Sequence, residues 1–432
     1  MNQNYFLKKS ALVALTVSCI PLVGAIFSSS VLAASVRYLT WQSVGNLNEP
    51  RELHRMISLD NGSILAIGGG SELAGTASAT TEIFNTQTNT WSYSALLNTP
   101  RRNPEVVKLN NNFLLAIGGS EGTQKVGTNS VELFNGQFWQ PVASMNIART
   151  NHAATLLQDG RVLVTGGQTA PGVYQSTAEI YDPNTNTWML LPNMNEVRSV
   201  HHARLLNDGT VLIIGGGTDT SATNTAEIFD PVTGTFTFVG SMNEARWGFL
   251  STILPDGKVL VAGGRIPIST GPTLFDDELI IHSGTEIYDT NTQTWTSVAP
   301  MNIPRSMGYP NVNLVTLSDG RIMAAGGRTP PAPYNGVASV EFFDLVTNTW
   351  SLGPEMSIGR SYFPIAVPEN LVCGGRGPDT LLPLAGCERL VPVPEPSAIL
   401  GLLALGTLGA ASTLKRQLKP SKSTEKATTK VG

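Results

Sequence analysis

Cysteine, histidine and net positive charge are all scarce in this chain. Three cysteines and five histidines stand among 432 residues, and 28 Lys and Arg face 32 Asp and Glu. Without a basic stripe to neutralise phosphates, nucleic acid is excluded as the expected partner. So few histidines and cysteines form no recognised metal-ligand spacing. Between the two ends no segment keeps a helical apolar period over a useful length, which removes helical bundles from consideration. No glycine-rich loop precedes a helix and no Ser-His-Asp arrangement can be assembled, so a phosphate cradle or a hydrolytic triad is not expected.

What the chain does contain is one phrase, repeated. "SILAIGG", "FLLAIGG", "RVLVTGG", "TVLIIGG", "KVLVAGG" and "RIMAAGG" are short apolar runs that stop at two glycines. Around them four landmarks keep register. Trp41, Trp91, Trp139, Trp188, Phe236, Trp295 and Trp350 are each followed ten residues later by Arg51, Arg101, Arg149, Arg198, Arg246, Arg305 and Arg360. The first glycines of the pairs are Gly68, Gly118, Gly166, Gly215, Gly263, Gly326 and Gly374, and beyond them come Glu82, Glu132, Glu179, Glu227, Glu286, Glu341 and Glu388. The Arg-to-Gly distance is 17 residues in the first five units and drifts only in the last two. Each unit of about fifty residues holds four segments of alternating polarity, the pattern of half-buried strands. "QDGR", "NDGT", "PDGK" and "SDGR" supply a tight turn between the first and second strands, where glycine takes positive φ cheaply. "DPNTNTW" and "DPVTGTF" supply another between the third and fourth.

A four-stranded sheet with two apolar faces cannot bury both alone, so the units are expected to pack face to face in a ring. The landmarks, Gly-Gly after an apolar strand, then "EIYD" or "EIFD", then Trp, resemble the kelch repeat over roughly Tyr38 to Leu390. That resemblance implies an all-β, seven-bladed kelch-type β-propeller. The glycine pairs then mark places where packed neighbours leave no room for Cβ. Trp41 starts a fourth strand with no preceding three, while Glu388 closes a set of three, and Pro392, Pro394 and Pro396 are expected to forbid a continuation in the sheet. "RYLTWQSV" is therefore expected to complete the last blade.

The ends carry addresses. Residues 1–33 read as a secretory signal: Lys8 and Lys9, the apolar "ALVALTVSCIPLVGAIF", and small residues up to Ala33. Residues 34–391 are then the propeller and 392–432 a separate segment. Within the latter, Ala398 to Leu414 is at the short limit for a transmembrane helix and is stopped by Lys415 and Arg416, with the bulk of the protein outside the cytoplasm. Val393-Pro394-Glu395-Pro396 followed by that span and basic cluster resembles the PEP-CTERM sorting signal of exported bacterial proteins. The resemblance implies an exosortase-type processing enzyme as partner, insertion through the C-terminal helix, and association with the cell surface and its polysaccharide.

The seven Glu and seven Arg are expected to form internal polar contacts, since an unpaired buried charge is costly and a catalytic residue is needed once, not seven times. His54, His152 and His201 each follow the repeat Arg by three residues and read as repeat features. Asp276, Asp277 and Glu278 read as a solvated acidic loop without the ligand alternation of a calcium site. Cys373 and Cys387, both in the last blade, are expected to form a disulfide in an oxidising compartment. No catalytic residue, metal or cofactor is expected.

The loops after Gly-Gly and before each repeat Arg share one rim, and only this rim varies. In units five to seven the residue after the glycine pair is Arg265, Arg328 or Arg376, with Trp247, Tyr309, Tyr334 and Tyr362 near in sequence. Loops on a rigid scaffold are where binding residues concentrate. The expected function is a non-enzymatic binding or scaffold module for a glycan or protein. The alternative is a secreted carbohydrate-active enzyme of kelch type, a galactose-oxidase-like oxidase or a sugar isomerase, because some kelch-type propellers, such as galactose oxidase, are copper enzymes.

Overall fold

Seven four-stranded antiparallel sheets account for almost all regular structure in a computed structural model that describes residues 38–71, 74–122, 126–219, 221–267, 279–307, 314–330, 335–378 and 382–393. Blade one is typical: Arg55–Ser58, Ile64–Ile67, Thr81–Asn85 and Thr90–Tyr93 pair in that order from the axis outward. The other inner strands are Glu105–Lys108, Ala153–Leu156, His202–Leu205, Leu250–Ile253, Val315–Thr316 and Ile365–Ala366. Every second strand, the apolar run before the glycines, is buried along its whole length. It has neighbours on both edges and a blade on both faces, which is why it reads as a continuous apolar run rather than an alternation.

The last blade draws on both ends of the chain. Leu39–Val44 pairs antiparallel with Cys387–Pro392, Trp41 opposite Leu390, and forms its outermost strand. The strand runs through Pro392, which pairs with Leu39. Proline is tolerated there because it ends its strand. The signal segment 1–33, the span 398–414, the sorting residues Pro394, Glu395 and Pro396, the acidic loop 276–278, and Tyr309 and Tyr334 lie outside the described residues.

Both glycines of every pair have positive φ, and the reason is the seam between blades. A Cβ at Gly118 would sit 2.6 Å from the Arg149 carbonyl oxygen of the next blade. The second glycine of each pair donates its N–H to the carbonyl of the next repeat Arg, from Gly69 to Arg101 around to Gly375 and Arg51, at 2.8–3.1 Å. Seven such bonds circle the ring, and the seventh crosses from the end of the chain to its beginning. The Asp-Gly hairpins are three-residue turns: Gly160 N–H donates to Leu157 O while Leu157 N–H donates to Arg161 O, with Gly160 at φ 88°. Inner strands run from the glycine rim to this Asp-Gly rim, and third strands run the same way.

Candidate functional site

Charge inside the blades is consumed by structure. Each repeat Arg is at most 1% exposed and donates from Nη1 to the carbonyl of the first glycine of its blade and from Nη2 to the repeat Glu, as Arg198 does to Gly215 and Glu227. The other oxygen of Glu227 accepts from the backbone and side-chain nitrogens of Asn195, on the segment that enters the blade. Asn48, Asn98, Asn146, Asn243 and Asn302 repeat the arrangement. These are the internal contacts expected from the repeat.

The histidines occupy the seams. His54 lies between Gly69 of its own blade and Gly374 of its neighbour, His152 between Gly118 and Gly167, and His201 between Gly166 and Gly216. Phe249 and Phe363 take the same place in blades five and seven. Burial, and then the nearby arginines, push His54, His152 and His201 far below the ordinary imidazole range, His201 to about 3. They are neutral packing groups. Cys373 and Cys387 pair across the second and third strands of blade seven and are joined as a disulfide, Cα atoms 4.2 Å apart.

On the glycine rim, a β-bridge fixes the residue after each glycine pair against the residue after each repeat Arg. Trp247 therefore faces Arg265, Ser306 faces Arg328 and Ser361 faces Arg376. The guanidinium of Arg265 stacks 4.2 Å over the Trp247 ring. Arg376 lies 4.7 Å over Tyr362 and forks onto Glu52 of blade one, Nε to Oε2 at 2.8 Å and Nη2 to Oε1 at 3.1 Å. Arg328 Nη1 donates to the Tyr362 hydroxyl at 2.6 Å. So Arg265 meets Trp247, and Arg328 and Arg376 both meet Tyr362. Trp247, Tyr362 and Arg265 are buried, while Arg328 and Arg376 are half-buried. The guanidiniums are thus packed on aromatic faces, and of the three only Arg328 and Arg376 reach partly to solvent.

Glu52, fully buried, is the member of this row that sequence reasoning missed. Its signal was a carboxylate beside a repeat Arg, where other blades place Arg102, Thr150, Ser199, Trp247, Ser306 and Ser361.

A second cluster, also missed, surrounds the axis. Arg55 Nη2 donates to Asn103 Oδ1 and Glu105 Oε1, both at 3.3 Å. Arg204 donates from Nε to Ser251 Oγ at 3.0 Å and from Nη2 to Nδ1 of His202 at 2.9 Å. Ser251 Oγ also lies 2.6 Å from that nitrogen, which makes Nδ1 the acceptor of a neutral ring. Burial pushes the Glu105 carboxyl up to about 7 and brings Arg55 and Arg204 down to about 10.

Above these groups, residues two past the repeat Arg form a hoop. Leu53 N–H donates to Tyr362 O, Asn103 N–H to Leu53 O, Val200 N–H to Asn151 O, and Met307 N–H to Gly248 O. Leu53, Asn103, Asn151, Val200 and Tyr362 all take left-handed φ between 49° and 57°. For valine that conformation is strained, and the interblade bonds hold it.

The chain matches the Kelch motif model at residues 58–95, 149–195, 205–243 and 314–357, and the PEP-CTERM protein-sorting motif model at 392–416. No curated protein matches it. Among solved structures it is similar to one described as "Novel fungal alcohol oxidase with catalytic diversity among the AA5 family, in complex with copper", at 16% identity and TM-score 0.63 over 82% of this chain and 76% of that one. It is also similar to "Structure of YjhT", at 14% identity and TM-score 0.54 over 72% of this chain and 99% of that one. At these identities the likeness is one of fold. Among the described residues no three of His, Cys, Asp and Glu converge as metal ligands.

Proposed function

For an exported, surface-associated kelch propeller that carries a PEP-CTERM sorting motif, we propose a non-enzymatic role: the glycine rim of blades five to seven binds an acidic polysaccharide of the cell surface. The observation that carries this reading is the row of three rim arginines, Arg265 over Trp247 and Arg328 and Arg376 around Tyr362. A planar guanidinium held by stacking has lost its rotamer freedom in advance, so its charge meets an acidic polymer at reduced entropic cost. The carboxylate in that row, Glu52, is forked by Arg376, and this supports a row that holds rather than converts. The sorting motif adds an exosortase-type enzyme as a processing partner.

The test is equilibrium binding of the purified protein to acidic and neutral polysaccharides. Arg265→Ala, Arg328→Ala and Arg376→Ala combined should weaken acidic-polymer binding at least tenfold, and Arg328→Ala alone, which leaves the Glu52 ion pair intact, should weaken it measurably without moving Tm. Retained binding by a folded triple variant defeats the reading. Turnover of a sugar or alcohol by the purified protein would replace it with the carbohydrate-active alternative.

A further inference from the structure

The rim opposite the arginine row carries the apolar side chains that the fold leaves most open. Val232 and Val346 are 92% exposed and Tyr38 is 75% exposed, more than any other large apolar residue among those described. All three stand on the Asp-Gly rim. Val232 and Val346 occupy the same place in the outer turns of blades four and six, where the backbone N–H of each donates to the Asp two residues before it, Asp230 and Asp344. Gln87, Gln137, Asn184 and Asn291 fill that place in blades one, two, three and five and make the same bond. The bond uses only the backbone, so the turn itself does not call for valine. An aliphatic tip there gains nothing from the fold.

Blade seven adds apolar surface where the chain leaves the ring. Val367 is 47% exposed in its inner turn, and Val393 is 43% exposed at the end of its third strand. Beside it, Tyr38 accepts the Val393 N–H on its carbonyl at 2.7 Å. Tyrosine is enriched where a membrane meets water.

Sequence distance limits how far this rim can stand from a bilayer. The sorting motif, matched from residue 392, anchors the protein at the membrane. The span expected from Ala398 leaves only residues 394–397 after Val393. An extended chain covers at most about 3.6 Å per residue, so this link reaches about 14 Å. With so short a link, the Asp-Gly rim is the one that comes to the bilayer.

Charge decides the kind of bilayer. On this rim Lys108, Arg161, Lys258 and Arg321 pair with Asp60, Asp159, Asp289 and Asp319. These cations therefore form no basic patch for anionic lipid.

We infer that the Asp-Gly rim is a docking face for the interface of a neutral lipid bilayer, with Val232, Val346 and Val367 in the headgroup layer and Tyr38 and Val393 beside the point where the chain enters it. The ring then rests on the bilayer instead of swinging on its link. The face is separate from the polymer-binding row on the opposite rim.

The test uses the full-length protein with Cys19→Ser, in which Cys373 and Cys387 stay bonded. Val232→Cys, Val346→Cys, Val367→Cys or, on the glycine rim, Glu121→Cys is introduced singly and labelled with a fluorophore. The protein is reconstituted into phosphatidylcholine vesicles, and the probes are read on the fraction that floats with them. Nitroxide-labelled lipid should quench the probes at positions 232, 346 and 367 at least threefold more than the probe at 121. Val232→Asp with Val346→Asp, at positions too exposed to disturb the fold, should reduce quenching at 367, and phosphatidylglycerol in the vesicles should reduce it at all three positions. Equal quenching at all four positions, stronger quenching at 121, or undiminished quenching at 367 in the Val232→Asp, Val346→Asp variant would each overturn the assignment.

Discussion

The repeat glutamates show how a buried charge is made harmless. Glu227 accepts from Arg198 with one oxygen and from two nitrogens of Asn195 with the other, so both oxygens are engaged. Removing the cation leaves the anion in place: Arg198→Ala should cost about 3–5 kcal/mol by chemical denaturation, as for other broken buried pairs. The seam histidines are a contrasting case, since neither ring nitrogen of His54 or of His152 has a hydrogen-bond partner. Phe249 and Phe363 fill the same seam without a polar atom. His54→Phe and His152→Phe are therefore expected to raise stability by about 1–3 kcal/mol each at neutral pH. They should also change the acid limb. Folded-state pKa values of His54, His152, His201 and His202 lie below the ordinary 6.5, so below that pH the unfolded chain binds protons that the folded chain does not. Stability is complete above about pH 6.5 and is lost as pH falls below it. Tm measured from pH 7.5 to pH 5 should drop less steeply in the His54→Phe, His152→Phe double variant than in the wild type.

Within a blade, each strand carries one recurrent task, and that is what made the fold readable. Gly-Gly, Glu, Trp and Arg recur because all seven seams impose the same steric and hydrogen-bonding demand, so the sequence repeats whatever the geometry repeats. Departures from the repeat were visible as residues but not as contacts. Arg265, Arg328 and Arg376 stood out after their glycines, yet their partners could not be read, because Glu52 lies 324 positions from Arg376. The axial cluster was hidden for the same reason. Arg55, Glu105, Arg204 and Ser251 come from four blades, and in each strand a single polar residue looks like ordinary alternation. Blade seven, like blade six, has an inner strand of two residues, here Ile365–Ala366. The Cys373–Cys387 bond ties its second strand to its third. Cys373→Ala with Cys387→Ala should lower stability by about 2–4 kcal/mol, and the same loss should follow reduction of the wild-type protein. No difference between oxidised and reduced forms in thermal unfolding would contradict this.

For the molecule as a whole, closure depends on two segments at opposite ends of the described chain. Leu39–Val44 seals blade seven, and Trp41 Nε1 donates to Pro354 O of the loop beside it. Deleting Val36 to Val44 should lower Tm sharply and promote association, because an unfinished edge strand invites pairing with another chain. Unchanged Tm and a monomeric profile on gel filtration would contradict it. The same closing blade also fixes how the ring is carried. Cys387–Pro392 descends to the Asp-Gly rim, Val393 N–H is fastened there to Tyr38 O at 2.7 Å, and the sorting motif already begins at residue 392. The chain thus leaves the ring for its sorting motif at the Asp-Gly rim, on the side opposite the arginine row, so whatever the motif fastens to lies across the ring from those arginines.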